Sequence, residues 1–277
     1  MTMATAPRGA VRPLPLPAGL SVAAGHLSGV KILVPFVALV GVWWIIQALG
    51  QFPERVLVSP ARVWNTLVLL FSHGILAEYI STSMSMIGIA AMISLAIGVP
   101  IGFLVGSNRY AARGLESFLR FLQGVSGIAW LPLVIIWFGF THMTTLVVVI
   151  YTLIVPIIFN TMTGVRAVPE HYSLALRSLG ASRLRLITDV YLPGALPSIV
   201  VGLRLGMGYG WRALIAAEML VRQGGLGDLI FGARTSGQID RIIGGMILIG
   251  TLYIIVDRLL VQPLENVTIA RWGVLRK

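Results

Sequence analysis

Predominantly apolar stretches of roughly twenty residues recur along most of this chain, and that pattern restricts what it can fold into, because about twenty residues of helix cross a bilayer. The stretches fall at Ile32 to Leu49, Ile80 to Val105, Phe118 to Phe140, Met143 to Gly164, Ala195 to Leu220 and Ile242 to Leu260. The 277 residues are 57% hydrophobic and only 11% charged, with a mean hydropathy of +0.89. That is more apolar surface than one soluble core can absorb, so the solvent is lipid. The expectation is an all-α polytopic membrane protein with about six transmembrane helices. Membrane barrels alternate apolar and polar residues along each strand, which these continuous stretches do not.

A formal charge of +11 would suggest nucleic acid for a soluble protein, but in a membrane protein the position of each base carries the information. With both termini inside, thirteen of the 21 Lys and Arg residues fall on the cytoplasmic side: Arg8, Arg12, Lys31, Arg109, Arg113, Arg166, Arg177, Arg183, Arg185, Arg258, Arg271, Arg276 and Lys277. Five fall outside, namely Arg55, Arg62, Arg222, Arg234 and Arg241, and Arg120, Arg204 and Arg212 lie in or beside spans. That excess predicts a multi-pass membrane protein with both termini cytoplasmic, a lipid partner and no nucleic acid.

Residues 1–30 carry Pro7, Pro13, Pro15 and Pro17 among small residues and lack the apolar core of a signal peptide, which predicts a disordered cytoplasmic tail. A transmembrane domain over 31–265 and a basic cytoplasmic tail over 266–277 follow. Ser59-Pro60 opens a short helix to His73, expected along the outer membrane surface, with Pro at the first turn.

Gly98, Pro100, Gly124, Gly127 and Pro132 interrupt the second and third spans and predict bent helices. Gly98, Gly102 and Gly106 recur every fourth residue, as do Gly202, Gly206 and Gly210. Such spacing lines one helix face with small residues and lets backbones approach closely, within the subunit by default or across a dimer.

Between the fourth and fifth spans lies a cytoplasmic loop of about residues 166–193. After Pro169 an amphipathic helix is expected up to Gly180, which suits a helix C-cap. A second helical turn runs from Ser182 to about Val190, and Pro193 is expected to start a new direction. A short helix held between spans can take force from a soluble partner or rest on anionic lipid through its arginines.

The spacing in this loop resembles the permease family of binding-protein-dependent ABC importers, whose loop carries E-A-A-x3-G-x9-I-x-L-P. Aligning the glycine on Gly180 places the first three positions on Leu174, Ala175 and Leu176, and the last four on Val190, Tyr191, Leu192 and Pro193. Ala175, Gly180, Leu192 and Pro193 match, whereas Leu174 replaces the family's carboxylate and Leu176 its second alanine. The likeness extends from about Leu57 to Leu260 through Val58–Trp64 (VSPARVW), Gly98–Gly102 (GVPIG), Ala129–Leu133 (AWLPL) with Ile136–Gly139 (IWFG), Leu196–Ile199 (LPSI) with Gly202–Arg204 (GLR), and Ala216–Met219 (AAEM) with Gly225–Gly227 (GLG). These strings are similar to the nitrate, sulfonate and taurine branch.

The resemblance implies that Leu174 to Gly180 dock into a cleft of a cytoplasmic ABC ATPase. Leu174 in place of the carboxylate leaves a largely apolar contact, helped by neighbouring bases such as Arg177. It also implies a homodimer forming one translocation path, two ATPase subunits, a periplasmic or lipid-anchored solute-binding protein and a small anion as substrate, such as sulfonate or taurine, nitrate or bicarbonate.

Arg204, Arg212 and Glu218 are costly inside a span unless paired, hydrated or near its ends. At 100° per residue Arg212 lies about 80° ahead of Arg204 and Glu218 about 40° behind it, one broad face. Either that face borders a path for an anion, with an arginine supplying positive potential and Glu218 gating or pairing near the outer end, or it holds snorkelling arginines and a structural Glu–Arg contact. Asn160, with Thr144, Thr145 and Tyr151, either lines the path or bonds a neighbouring helix.

The alternatives have their own signatures. An autonomous secondary transporter or channel predicts acidic relays or inverted repeats, and neither is visible. An intramembrane enzyme needs convergent catalytic groups, yet Asp189, Asp228, Asp240 and Asp257 fall in loops or at span ends. The chain has no Cys, its four His residues show no ligand spacing, and no phosphate loop appears. No metal or cofactor is therefore expected in this chain, and any ATP is hydrolysed by another.

Overall fold

A computed structural model describes residues 20–50, 53 and 56–272. The chain divides into two compact units, residues 1–60 and 61–277, taken here in turn. The first is built on α1 (Leu20–Ala48), which carries Pro35 within it. Its Trp43 indole N–H donates to Val58 O at 3.1 Å. The expected tail overlaps α1 over residues 20–30, and residues 1–19 lie outside the described residues.

The second unit contains α2 (Pro60–Ser72), α3 (Ile75–Ser107), α4 (Arg109–Gly124), α5 (Leu131–Phe138), α6 (His142–Ala167), α7 (Glu170–Ser178), α8 (Arg183–Leu186), α9 (Leu192–Val221), α10 (Leu226–Thr235), α11 (Ile239–Val256) and α12 (Gln262–Trp272). No strand occurs among the described residues. Among the described residues, four helical stretches are long and apolar enough to cross a bilayer: Ile75–Ser107, His142–Ala167, Arg183–Val221 and Ile239–Thr268. The expected six spans are not reached on that criterion. The described apolar part of α1, Val34–Ala48, is shorter than a span, and the expected third span is broken in two.

That break is sharper than the bend expected from the glycines. Tyr110–Gly124 and Gly127–Phe138 meet at 86°. Val125 and Ser126 are extended, with ψ of 117° and 136°, and Pro132 sits in the first turn of α5. A Cβ on Gly127 would lie 1.9 Å from Thr152 Oγ1, so the backbone of the break presses directly on α6.

In lipid, apolar side chains gain little by leaving their solvent, so helices associate through close packing and hydrogen bonds. The two glycine rows supply that packing within the subunit, both against α6. A Cβ on Gly98 would stand 3.0 Å from Ile157 Cγ2, on Gly102 2.6 Å from Thr161 Cβ, and on Gly106 2.9 Å from Val165 Cβ. On the other side, Gly202 meets Asn160 Cβ at 2.7 Å, and Gly206 and Gly210 meet Leu153 at 3.0 and 2.9 Å. Alanine would not fit at these distances, and α6 is clamped between α3 and α9. Half of its apolar window is buried, against 11% for the Ile239–Thr268 helix. Ile87, Ala90, Val149, Leu153, Trp211, Leu214 and Leu226 form the core beside it. Apolar side chains left exposed on the spans, such as Met92, Ile97 and Leu205, suit a lipid solvent.

Pro193 does not start a new direction. The helix from Arg183 runs on to Val221 through a π-turn at Ile187–Tyr191, where Leu192 N–H donates to Ile187 O. A proline lacks an N–H and its ring pushes away the carbonyl one turn back. The wider turn absorbs that conflict without ending the helix. The same device recurs at Asp257–Val261, where Gln262 N–H donates to Asp257 O just before Pro263.

Candidate functional site: a coupling helix, an ion cluster and a cavity along one span

The loop after α6 forms the helix its sequence predicts. Pro169 precedes α7, and Glu170 stands in its first turn and Arg177 in its last, the charge order that a helix dipole favours. Gly180, at φ +77°, closes it: Gly180 N–H donates to Arg177 O at 2.9 Å and Ala181 N–H to Leu176 O at 3.0 Å. This pair of bonds is the Schellman cap, which requires a left-handed residue at Gly180. Ser182 then caps α8 by accepting from Arg185 N–H at 3.4 Å.

The loop residues divide by exposure. Leu174 is 53% exposed, Leu179 85% and Leu184 70%. Ala175, Arg177 and Gly180 are exposed too, and Leu176 is half-buried. Val190 instead is buried, Leu192 is exposed at the start of α9, and Pro193 is half-buried beside it. The distal part of the motif thus builds the root of α9, while the proximal part offers leucines to the surroundings.

The three ionisable residues of the fifth span, expected on one face, have separate environments. Glu218 is 2% exposed and pairs with no arginine among the described residues. Its carboxylate accepts from Ser83 Oγ at 2.7 Å and from Gly227 N–H at 2.9 Å. Ser83 Oγ accepts in turn from Leu226 N–H at 2.9 Å. Carboxylate and hydroxyl together satisfy two of the open N–H groups that begin α10. Gly225 and Gly227 make room: a Cβ on either would lie 2.3 Å from Glu218 Oε1 or from Ile215 O, respectively. The pair of strings at 216–219 and 225–227 is therefore one hydrogen-bonded corner. Arg222, left-handed at φ 56°, completes it by pairing with Asp228 at 3.3 Å.

Arg204 is held by two carboxylates, Asp257 at 3.3 Å and Glu265 in close contact. The cluster joins α9 to the π-turn and α12, the two elements after α11. Glu265 gave no signal in the sequence, because ion pairs between distant spans leave no local pattern. Asn160 donates to Pro156 O at 2.9 Å and packs on Gly202, a helix-contact role. Thr144 bonds Gly139 O at 2.6 Å, and Thr145 is buried.

Arg212 differs from all of these. Its Nε donates to Gly208 O at 3.0 Å, and its guanidinium stands 5.2 Å over the Tyr209 ring. It borders a half-open cavity of about 360 Å3 shared with Gln123, Ser126, Tyr151, Thr152 and Tyr209. The cavity meets the broken third span, and Tyr151 Oη fixes that break by donating to Leu122 O at 2.7 Å and Val125 O at 3.3 Å.

Known proteins share both the fold and the sequence. Residues 98–262 match the family described as the inner membrane component of binding-protein-dependent transport systems. A putative aliphatic sulfonates transport permease protein of Escherichia coli K12 is 33% identical, over 86% of this chain and 89% of its own. The nitrate import permease protein of Synechocystis sp. is 30% identical over 82% and 86%, and the taurine transport system permease protein of Escherichia coli K12 29% over 79% and 82%. A chain from inward-facing structures of the MetNI methionine ABC transporter superposes with a TM-score of 0.58 at 18% identity, covering 74% of this chain and 97% of that one. The chain belongs to the inner membrane components of binding-protein-dependent transport systems: it is a multi-pass permease subunit of an ABC importer.

Proposed function

We propose that this permease forms, with a second copy of itself, the translocation path for a small anion, driven by two cytoplasmic ATPase subunits and fed by an outer solute-binding protein. Its relatives are named for taurine, aliphatic sulfonates, nitrate and bicarbonate, which supports an anionic solute. The excess of Lys and Arg in the loop of α7 and at both ends of the chain supports cytoplasmic termini.

The observation that carries the reading is the exposed apolar edge of the loop, Leu174, Leu179 and Leu184, beside Arg177, Arg183 and Arg185. Leucines this exposed between two span-forming helices suit a partner protein that covers them. The loop is joined through α8 and the π-turn to α9 without a break in the helix, so a push on α7 is delivered to the root of that span. With Leu174 at the family's acidic position, docking rests on apolar burial.

The test is copurification of the complex from membranes. Leu174→Asp combined with Leu179→Asp removes two apolar contacts, each contributing about 1.5–3 kcal/mol when buried. Retained ATPase should fall by at least about tenfold at an undiminished level of inserted permease. Full retention of the ATPase with normal uptake would refute the docking surface.

A further inference from the structure

Two arginines of α9, Arg204 and Arg212, lie about two helical turns apart and are treated oppositely by the fold. Arg204 is neutralised by Asp257 and Glu265. Arg212 makes one backbone hydrogen bond and one aromatic contact, and among the described residues no carboxylate pairs with it. An ionised side chain inside a span is costly, and such residues face wet cavities or ion pathways. Arg212 does face one, the 360 Å3 cavity at the break between α4 and α5.

The polar atoms nearest that break add no competing charge. The carbonyls of Leu122 and Val125, at the C-terminal end of α4, carry the negative pole of that helix but are taken up by the Tyr151 hydroxyl. Thr152 Oγ1 is spent on Val148 O at 2.8 Å. Among the described residues the cavity is left with a single cation, and Arg212 Nη1 and Nη2 have no hydrogen-bond partner. A guanidinium presents its N–H groups in a planar fork that matches the oxygens of a carboxylate, sulfonate or nitrate.

We infer that this cavity is a passage site for a small oxyanion, in which the Arg212 guanidinium takes the oxyanion head group against a wall made by the broken helix. One cation without a second charged group holds an anion weakly, which transit requires: a solute must be attracted enough to enter and released readily enough to leave. The inference rests on the proposed import of an anion and adds where in this subunit the anion is met. It also separates the arginines, with Arg204 structural and Arg212 in the path.

The experiment is ATP-dependent uptake by the complete importer, with its ATPase and binding protein, in proteoliposomes. Radiolabelled taurine, ethanesulfonate, nitrate and bicarbonate serve as probes. Absence of uptake of all of these by the unmodified importer overturns the anion reading itself, and this inference with it. Where the unmodified importer takes up a probe, Arg212→Gln should lower that uptake by about tenfold or more, the loss of a charge-assisted hydrogen bond, in complexes that still purify intact. Arg212→Lys should restore most of it. Uptake by Arg212→Gln within about twofold of the unmodified importer, or Lys no better than Gln, overturns the site while leaving the import reading standing. Should Arg212→Gln fail to assemble, Ser126→Phe fills the cavity without altering the charge. Lost uptake then supports the site, and undiminished uptake overturns it.

Discussion

The two ends of α9 are built on opposite principles. At the Glu218 end every polar group is committed: the carboxylate bonds Ser83 and Gly227, Ser83 bonds Leu226, and Arg222 bonds Asp228. Glycines at 225 and 227 let the backbone close on the carboxylate. At the α7 end the helix passes through a π-turn, and the leucines before it are uncovered. The closed end has its partners inside the chain and fixes a corner. The open end leaves its leucines uncovered among the described residues, as the proposed ATPase contact requires. A buried polar group left without a bond is costly, whereas an exposed leucine costs little until something binds it. One end therefore answers to folding and, with the proposed docking, the other to assembly.

This contrast makes graded predictions. The largest effect is expected from Gly227→Val, whose Cβ would meet the backbone oxygen Ile215 O at 2.3 Å. Because backbone cannot swing aside, about 3 kcal/mol or more of stability is lost, read as a collapse in detergent-stable monodisperse protein. Normal folding yield would show that the corner is not the rigid end. Glu218→Gln comes next. Its amide N–H2 faces either Gly227 N–H or the Ser83 hydroxyl and leaves a buried donor unpaired. The cost is about 1–3 kcal/mol, seen as a lowered midpoint in thermal unfolding, with ATPase binding retained by the protein that folds. The smallest effect is Gly180→Ala. Nothing stands within 4 Å of the new methyl, so the cost is the left-handed backbone alone, about 1 kcal/mol. That change should reduce ATPase copurification more than it reduces folding yield. The reverse ranking would erase the distinction between the two ends.

The internal glycine rows show what a local pattern carries. Four-residue spacing at Gly98–Gly106 and Gly202–Gly210 announces close helix contact, and both rows make it. The pattern could not say that both face α6, because spacing describes one helix surface and not its partner. At the Glu218 corner the motif strings were visible, yet their meaning needed Ser83, 135 residues away. For the same reason a Glu–Arg contact was a reasonable expectation from one helix face, and the structure put a serine and a backbone amide there instead. The third span was expected to bend. Its 86° break follows from the extended Val125–Ser126 pair and the pressure of Thr152 on Gly127, and only the second of these needs a distant residue.

What the sequence determined by itself is the solvent, the helical class and the short helix of the loop after α6, since hydropathy and capping are written within one helix's length. The four-residue glycine rows, and the Pro169 start and Gly180 stop of α7, needed no distant partner to be read. The tertiary structure alone decided which charges are spent. Three ionisable residues on one face of one helix became a buried corner, an ion-paired cluster and a guanidinium over a cavity. That division depends on Ser83, Asp257, Glu265 and Tyr151, which reach α9 and the cavity beside it only after other helices have packed, and in a low-dielectric interior a charge is defined by such neighbours.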